Sequence, residues 1–445
     1  MKNLFGTDGI RGEAGVPPLD GATIYRVGRA LARNLSSCEL PRLLIGRDTR
    51  SSGSTIESWL AAGISAGGGE AVSAGVISTP AVAHLTRRFG FAAGVVISAS
   101  HNPFPDNGVK IFSTEGKKVS EVLETTISTE VAADGADEEV GEKPLPAPDP
   151  TLQDEYLRHL KSSLPSKTGF SSLKIGLDCA NGATYEVGPR LLRELDIAFE
   201  SLGITPTGRN INDACGSTHP EQLARRVVES RCDFGAALDG DGDRLLLVDG
   251  DGQLINGDAI LLMCARHMKA EQRLPGPGIV ATVMSNLALE QALGSEEIDL
   301  FRTKVGDKYV AEEMERRGLV LGGEQSGHII FSDYSPTGDG LLTLLQVLRV
   351  VAGSTKPLKE LAYLKPFPQV LINVPVREKR DVQQVPEIAH AMEEAERQMA
   401  GRGRLLVRFS GTEPLLRIMM EGPDEGEIRA LSVSIAEATR RSLAE

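Results

Sequence analysis

The stretch LLIGRDTRSSGSTIESWLAAGI, residues 43–64, shows the plan on which much of the chain is built. A short apolar strand comes first, and a polar turn follows it. Apolar side chains then recur at helical spacing at Ile56, Trp59, Leu60 and Ile64, which predicts a helix with one buried face. The stretch therefore predicts a strand–turn–helix unit of an α/β domain.

Two later stretches, residues 174–195 and 278–293, repeat this order of strand, turn and helix. Units that recur at separations of domain size indicate three α/β domains of related plan. The tail has a different order: a strand VLINVPV, a polar helix over residues 385–399, a strand GRLLVRFS and a final helix. This order predicts a smaller α+β domain.

The length of 445 residues is too great for one compact core, so several domains are expected. An acidic, proline-rich stretch at residues 132–150 and the stretch KPFPQV at residues 365–370 indicate boundaries. We expect three α/β domains and a smaller C-terminal α+β domain around a central cleft. The predicted bounds are 1–150, 151–253, 254–367 and 368–445.

The composition of the chain indicates which classes of binding partner are unfavourable. The chain has 48 Lys and Arg against 61 Asp and Glu, a net charge of −13, and only 4% aromatic residues. An acidic surface disfavours nucleic acid and anionic membranes, so an anionic small substrate would need a locally basic pocket. The five cysteines are scattered, with no Cys-x-x-Cys pair, which indicates a reduced cytoplasmic protein rather than a disulfide framework or a zinc site.

The stretch GVVISASHNPFPDNGVKIF, residues 94–112, places polar side chains at the end of an apolar strand. Catalytic groups of open α/β sheets lie at such strand ends. Pro103 ends the strand, and Asp-Asn-Gly at residues 106–108 predicts a turn before a second strand. The spacing does not choose between Ser98 and Ser100 as a nucleophile, and the polar residues could also only cap the turn.

The stretch LDGDGDRLLLV, residues 238–248, alternates three aspartates with two glycines. Carboxylates this close repel one another unless a hard cation lies among them, and the glycines let the backbone bend so that all three converge. An EF-hand is excluded, because Arg244 and Gly250 stand where it needs Gly and Glu. The motif predicts a Mg²⁺ site at Asp239, Asp241 and Asp243. By contrast, the Asp-Gly-Asp-Gly of residues 249–252 predicts only a hairpin turn.

Two further motifs offer groups for a sugar phosphate. GGEQSGHIIF, residues 322–331, presents Glu324, Ser326 and His328, which suit sugar hydroxyls, or an amine in the case of Glu324; an ordinary polar turn is the alternative. RFSGTEPLLRIMMEG, residues 408–422, offers the donors that grip a phosphate. These donors are Arg408, Ser410, Gly411, Thr412 and Arg417. Arg417 could instead pair with a surface carboxylate.

Together with FGTDGIRG at residues 5–12, these motifs resemble the α-D-phosphohexomutase superfamily, in that family's order and over essentially the whole chain. FGTDGIRG, INDACGSTHPE, TKVGD and GGEQSGH are similar to the branch that interconverts glucosamine 6-phosphate and glucosamine 1-phosphate. One departure is Lys308, where the family leads us to expect Arg. Lysine cannot form the bidentate fork of arginine, which weakens any phosphate role there.

The resemblance implies that Ser100 is phosphorylated and that one of its phosphate oxygens joins the three aspartates around Mg²⁺. It implies a glucosamine 1,6-bisphosphate intermediate that also acts as primer, and a step toward UDP-N-acetylglucosamine. Around the phosphoserine it places Arg11, His101 and Lys110, with Lys110 the first and His328 the second candidate acid/base. Arg244 would assist at the metal loop, Glu324 and Ser326 would hold sugar hydroxyls, and the Arg408 loop would hold the non-reacting phosphate. A homodimer is compatible with it.

Three other functions are compatible with parts of this sequence. The stretch Gly-Ile-Ser-Ala-Gly at residues 63–67 matches the nucleophile elbow of serine hydrolases, but a strand must precede that serine and a helix is predicted here. A non-catalytic phosphosugar sensor on the same fold is a second alternative, because fold does not fix function. Within the mutases, the alternative is a phosphomannomutase or phosphoglucomutase.

Overall fold

The computed structural model describes residues 4–6, 8–35, 40–133, 142–144, 147–165, 169–410 and 414–444. The chain divides into two compact units. The first contains residues 1–284 and 300–363, and the second contains residues 285–299 and 364–445.

The first sheet of the first unit has the strand order β1-β5-β4-β2-β3. Its strands are β1 (Ile10–Glu13), β2 (Arg42–Arg47), β3 (Glu70–Val76), β4 (Ala93–Ile97) and β5 (Asp106–Ser113). Its helices are α1 (Gly21–Asn34), α2 (Gly53–Ala66), α3 (Thr79–Phe89) and α4 (Glu121–Ala133). In α2 the predicted apolar face is confirmed, with Ile56, Leu60 and Ile64 buried in the core and Trp59 packed at its edge.

The second sheet of the first unit has the order β10-β9-β8-β6-β7. Its strands are β6 (Lys174–Asp178), β7 (Ala198–Leu202), β8 (Phe234–Leu238), β9 (Leu245–Asp249) and β10 (Leu254–Ile255). Its helices are α5 (Pro150–Ser162), α6 (Val187–Glu194) and α7 (Glu221–Glu229). The antiparallel pairing of β9 with β10 confirms the hairpin predicted at residues 249–252.

The third sheet has the order β12-β11-β13-β14. Its strands are β11 (Gly278–Thr282), β12 (Asp299–Thr303), β13 (Leu321–Gly323) and β14 (Ile329–Phe331). The helices of this part of the chain are α8 (Gly257–Ala270), α9 (Leu287–Gly294), α10 (Asp307–Arg317), α11 (Gly340–Ala352) and α12 (Leu358–Leu361). Of these, α9 lies in the second unit.

The three sheets share one strand order, which is β5-β4-β2-β3 in the first, β9-β8-β6-β7 in the second and β14-β13-β11-β12 in the third. In each of these sets of four strands, the third strand along the chain (β4, β8 or β13) runs parallel to the first (β2, β6 or β11), and the fourth (β5, β9 or β14) pairs with it antiparallel. This confirms the prediction of three α/β domains of related plan. The loops after β4, β8 and β13 therefore occupy the same position in the three sheets, and each carries one of the polar motifs.

The second unit contains a smaller antiparallel sheet with the order β15-β17-β16. Its elements are β15 (Gln369–Pro375), β16 (Arg404–Phe409), β17 (Leu415–Glu421), α13 (Pro386–Met399) and α14 (Glu425–Thr439). The predicted α+β tail is thereby confirmed, but the predicted order of elements did not include β17, which is the central strand of the sheet. The sequence interpretation assigned the residues of β17 to a phosphate-binding loop. In the structure they form an apolar strand whose inner side is buried in the core of this unit.

The turn predicted at residues 106–108 is wrong. These residues form the start of β5, where Gly108 pairs with Arg11 and Asn107 with Gly12 of β1. The chain instead turns within residues 100–105, ahead of the strand. Pairing with a strand from the beginning of the chain keeps Asp-Asn-Gly extended, and local turn propensity does not contain that long-range contact.

The glycines of residues 63–67 serve helix packing. A Cβ atom at Gly63 would overlap the carbonyl oxygen of Tyr25, and one at Gly28 would overlap that of Leu60, so α1 and α2 approach through their glycines. The serine of this stretch lies inside α2, as predicted, so the nucleophile-elbow interpretation fails for the lack of a preceding strand.

The cysteines that the structure describes, Cys179, Cys215, Cys232 and Cys264, are buried free thiols. Cys38 lies outside the described residues. Within the described ranges, every helix is too short or too polar to cross a bilayer.

The buried His84 and the half-buried His159 stack where α3 meets α5. The ring centroids of His84 and His159 are 3.8 Å apart and their planes differ by 16°. Burial, followed by the nearby charges of His159 and Arg87, lowers the pKa of His84 to about 3. Burial likewise lowers the pKa of His159. The pair is therefore neutral in the folded protein near neutral pH.

This pair predicts a loss of stability in acid. The folded-state pKa of His84 lies below the ordinary value of 6.5, so the unfolded chain binds a proton first as the pH falls. The contribution of neutral His84 to the stability of the fold is fully present above the ordinary pKa of 6.5. It is lost as the pH falls toward the folded-state pKa of about 3. When the pH falls from 7 to 5, we expect the free energy of unfolding to decrease by about 2 kcal/mol because of His84. Urea denaturation of the wild type and of His84→Phe at both pH values measures this difference.

The same substitution at the exposed His219 is the control and should leave the pH dependence of the wild type. An equal acid sensitivity of His84→Phe and wild type would show that the stacked pair does not contribute.

Candidate active site

Ser100 lies in the loop after β4 and is 4% exposed. Its Oγ donates a hydrogen bond of 2.6 Å to Oδ2 of Asp239, in the loop after β8. Its backbone has φ 51°, in the left-handed region that is costly for a residue with a Cβ atom. The side chain is thus directed at the acidic loop by a backbone conformation that the surrounding contacts must maintain.

The structure distinguishes Ser98 from Ser100. The Oγ of Ser98 donates to Oδ2 of Asp48 at 2.5 Å and accepts from the backbone N–H of Ser100 at 2.9 Å. Ser98 is fully buried, so its hydroxyl is committed to structure. Of the two serines, Ser100 is the one whose hydroxyl faces the acidic loop after β8, which is the arrangement expected of a group that reacts there.

The three aspartates of the loop after β8 converge. Asp239, Asp241 and Asp243 each direct a carboxylate oxygen into a group whose members lie within 4.8 Å of one another. At that separation each pair of charges repels by roughly 3 kcal/mol at an effective dielectric constant of about 20. Burial, followed by the charges of Asp243 and Asp241, raises the pKa of Asp239 well above its ordinary value.

The donor set fits a hard divalent cation. One oxygen each of Asp241 and Asp243 is buried and has no hydrogen-bond partner. Buried, unsatisfied carboxylate oxygens are costly, and a cation that prefers oxygen ligands would satisfy both of them. Gly242, with φ 73°, supplies the left-handed turn that brings the carboxylates together.

Cationic groups surround the carboxylates. The Nζ of Lys110 donates to Asp241 at 2.8 Å and lies 3.4 Å from Asp243. Burial alone would lower the pKa of Lys110, but Asp241 and Asp243 outweigh it and raise the pKa above its ordinary value. The backbone N–H of Arg244 donates to Asp239 at 3.1 Å, and its guanidinium lies 3.9 Å from Asp243.

Arg11 and His101 complete the surroundings of Ser100. Nη1 of Arg11 donates to the carbonyl oxygen of Ser98 at 2.7 Å, and Nδ1 of His101 lies 3.5 Å from the Oγ of Ser100. Burial, followed by the charge of Arg244, lowers the pKa of His101, so its ring is neutral and can accept a proton.

The loop after β13 brings His328 to the same place. Nδ1 of His328 lies 3.6 Å from Oδ2 of Asp243, and its Nε2 accepts from the backbone N–H of Gly338 at 3.0 Å. Glu324 and Ser326 lie beside the TKVGD loop: the Glu324 carboxylate accepts from the N–H of Gly306 at 3.1 Å. Their side chains contact each other at 3.4 Å and not the aspartates.

The predicted phosphate loop lies in the second unit. Arg408 of β16 stands directly opposite Arg417 of β17. Burial, followed by the charge of Arg417, lowers the pKa of Arg408. Like charges at opposed positions are unfavourable, and an anion between them would relieve the repulsion. Ser410 is buried and its carbonyl oxygen accepts from Lys379 at 2.6 Å, whereas Gly411 and Thr412 lie outside the described residues.

Some groups at the site were missed by the sequence interpretation. Thr79, at the start of α3, donates its hydroxyl to Oδ2 of Asp241 at 2.6 Å and its N–H to the carbonyl oxygen of Asp241 at 2.9 Å. Asp48 supports Ser98, and Asp307 lies 3.9 Å from His328. Asp48 and Thr79 follow the strands β2 and β3, and strand ends are the one signal that could have indicated them. Lys308 is ion-paired with Glu121 at 2.7 Å.

Comparison with known families agrees with this geometry. Four models of the phosphoglucomutase/phosphomannomutase family match the chain: alpha/beta/alpha domain I at residues 2–138, domain II at 154–252, domain III at 256–367 and the C-terminal domain at 371–438. The phosphoglucosamine mutase of Solibacter usitatus (strain Ellin6076) is 46% identical over 453 residues, covering 100% of both chains.

Solved structures share the fold. A phosphoglucomutase/phosphomannomutase family protein from Burkholderia thailandensis superposes with a TM-score of 0.81 at 23% identity, over 99% of this chain and 98% of that one. The Aspergillus fumigatus N-acetylphosphoglucosamine mutase, solved with GlcNAc-6P and magnesium, gives a TM-score of 0.60 at 20% identity, over 89% and 82%. Four family models match the chain, and it is 46% identical to a curated phosphoglucosamine mutase over the full length of both. The chain therefore belongs to the phosphoglucosamine mutase family of the phosphohexomutases.

Proposed function

We propose that this phosphosugar mutase interconverts glucosamine 6-phosphate and glucosamine 1-phosphate, with Ser100 as the carrier of the phosphoryl group. The observation that carries the proposal is the 2.6 Å hydrogen bond from the Ser100 hydroxyl to a buried cluster of three carboxylates. Phosphoryl transfer requires a positioned oxygen and a cation that offsets the charge of the transferred group, and this site offers a position for both. The 46% identity to a phosphoglucosamine mutase supports glucosamine as the sugar.

Asp239, Asp241 and Asp243 would hold a Mg²⁺ ion together with an oxygen on residue 100. When bound, the ion offsets the negative charge of the phosphoryl group during transfer. The unsatisfied oxygens of Asp241 and Asp243 support this assignment, and the magnesium found in the Aspergillus relative is consistent with it. Arg244 adds a fixed positive charge beside the same loop.

The protein groups around Ser100 bind charge and move protons. In one direction the phosphoryl group passes from Ser100 to a sugar hydroxyl, whose proton must leave. In the other it returns from the bisphosphate to the Ser100 oxygen. Lys110, held as an ammonium by Asp241 and Asp243, is the first candidate to donate a proton to the Ser100 oxygen when the phosphoryl group leaves it. His101 is a neutral acceptor 3.5 Å from that oxygen, Arg11 lies alongside, and His328 is the second candidate acid/base.

The remaining residues would hold the sugar. Glu324 and Ser326 are assigned to its hydroxyls, and Glu324 also offers a carboxylate to the amine of glucosamine. The facing Arg408 and Arg417, with Ser410, Gly411 and Thr412, are assigned to the phosphate that is not transferred. One set of donors can grip either end of glucosamine 1,6-bisphosphate, because a phosphate presents the same oxygens in both orientations.

We also propose the domain bounds 1–150, 151–253, 254–367 and 368–445, a cytoplasmic location and a homodimer. The four buried thiols support the location, because thiols stay reduced there. The ranges matched by the four family models support the bounds.

Substrate preference separates this proposal from a phosphomannomutase or phosphoglucomutase. With Mg²⁺ and the matching bisphosphate primer, we expect kcat/KM for glucosamine 1-phosphate to exceed that for glucose or mannose 1-phosphate by at least about 10-fold, because a hydroxyl lacks the charge that Glu324 would recognise. Coupled assays with the three sugars under identical priming measure it. A preference for glucose or mannose would favour the alternative enzyme.

Ser100→Ala should fold and bind Mg²⁺ but have no measurable turnover, because no oxygen remains to carry the phosphoryl group. Mass spectrometry of the wild type after incubation with a sugar bisphosphate should locate one phosphoryl group on the peptide containing residue 100. In Ser98→Ala, which removes the neighbouring hydroxyl, the label should stay on Ser100. A label on residue 98, or full activity of Ser100→Ala, would contradict the assignment.

Asp243→Asn should weaken Mg²⁺ binding by at least about 10-fold, because it removes one of the three charges that hold the cation. Isothermal titration calorimetry with Mg²⁺ alone measures this without reference to activity. The matched control is Asp251→Asn in the similar Asp-Gly-Asp-Gly hairpin, where Asp251 pairs with Lys359 at 2.8 Å. Equal Mg²⁺ affinities of the two variants would place the cation elsewhere.

A further inference from the structure

Two side chains from different domains hold the backbone of the Ser100 loop. Nη2 of Arg50 donates to the carbonyl oxygens of Ser100 at 3.1 Å and Asn102 at 2.8 Å. Nδ2 of Asn212 donates to the same two oxygens, at 2.9 Å and 3.1 Å. Four hydrogen bonds thus converge on two carbonyl groups that flank His101.

Arg50 is itself held by other buried groups of the protein. Arg50 is 1% exposed and its guanidinium lies 3.2 Å from Asp48. Asp48 accepts from Ser98, and Ser98 accepts from the N–H of Ser100. The N–H and the carbonyl of Ser100 are therefore both connected to one buried ion pair, which opposes rotation of the residue about its backbone.

The Asn212 side connects the serine loop to the acidic loop. A Cβ atom at Gly240 would lie 2.5 Å from the carbonyl oxygen of Ser100 and 2.8 Å from Nδ2 of Asn212, so both atoms pack against the backbone between Asp239 and Asp241. Asn212 itself has φ 58°, a conformation that asparagine tolerates well. Its amide fixes how far the serine hydroxyl lies from the carboxylates.

We infer that Arg50 and Asn212 are positioning residues for phosphoryl transfer, which hold Ser100 in its left-handed conformation so that its oxygen faces the aspartates. The inference rests on the proposed role of Ser100. The hydrogen bonds of Arg50 and Asn212 to this loop go to the backbone carbonyl oxygens of Ser100 and Asn102 and not to Oγ of Ser100, so their effect is exerted through the backbone. A displacement of the reacting oxygen by a fraction of an ångström lowers the rate of transfer and leaves sugar binding intact.

Asn212→Gly tests this, because glycine keeps the left-handed backbone and removes both donors. We expect kcat, and the single-turnover rate of phosphoryl transfer to the sugar phosphate, to fall by at least about 10-fold, with KM within about twofold of the wild type. Mg²⁺ affinity and the urea midpoint should stay near the wild-type values. Asn210→Gly is the matched control, because the Asn210 side chain contacts Thr205 and Thr207 instead and should leave the transfer rate unchanged.

Arg50→Lys is the second variant. It keeps a positive charge beside Asp48 but cannot reproduce the two hydrogen bonds in the geometry of a guanidinium. It should lower kcat in the same way without raising KM. A wild-type transfer rate in both variants would overturn the inference, as would a rise in KM with unchanged kcat. If the wild type itself acquires no phosphoryl group on Ser100 from a sugar bisphosphate, the proposed function fails first, and the two failures are thereby distinguished.

Discussion

Mutual repulsion of three buried carboxylates is the constraint on which the rest of the site depends. Asp239, Asp241 and Asp243 are held within 4.8 Å in a loop that is almost inaccessible to water. Such a cluster is tolerated only if positive charge surrounds it. Lys110, Arg244 and the cation proposed here supply that charge from different directions. Without a cation, the three carboxylates would also repel a phosphoryl group that carries two negative charges. Such a group is favoured here only when a divalent ion is bound, so the charge balance of the cluster and the proposed function depend on the same ion.

The topology explains how these groups meet. In all three sheets the loop after the equivalent strand carries the polar motif, namely Ser100 after β4, the aspartates after β8 and His328 after β13. One supersecondary plan, used three times, carries the residues that we propose as the nucleophile, the metal ligands and the sugar-binding groups. The division of roles therefore lies in a few side chains per loop, and the scaffold is common to all three.

The sequence interpretation was most reliable where chemistry and pattern agree locally. The acidic loop was recognised because three aspartates within five residues repel one another unless a cation lies among them. The helix α2 was recognised because the spacing of its apolar residues is regular. It failed where a long-range contact decides. Asp-Asn-Gly in β5 is typical of a turn, yet pairing with β1 makes it a strand, and β17 was overlooked because its apolar run follows a loop motif.

The sequence by itself determined the fold class, the four-part plan and the acidic loop, because strand, helix and ligand patterns are written in neighbouring residues. The spacing of the motif left Ser98 and Ser100 equivalent, since both follow the same strand, and the family resemblance indicated Ser100. Only the tertiary structure shows a physical difference between them: Asp48 accepts from Ser98, and Asp239 accepts from Ser100. Arg50, Thr79 and Asn212 likewise gained their roles only when the folded chain brought distant segments within hydrogen-bonding distance, which no local spacing encodes.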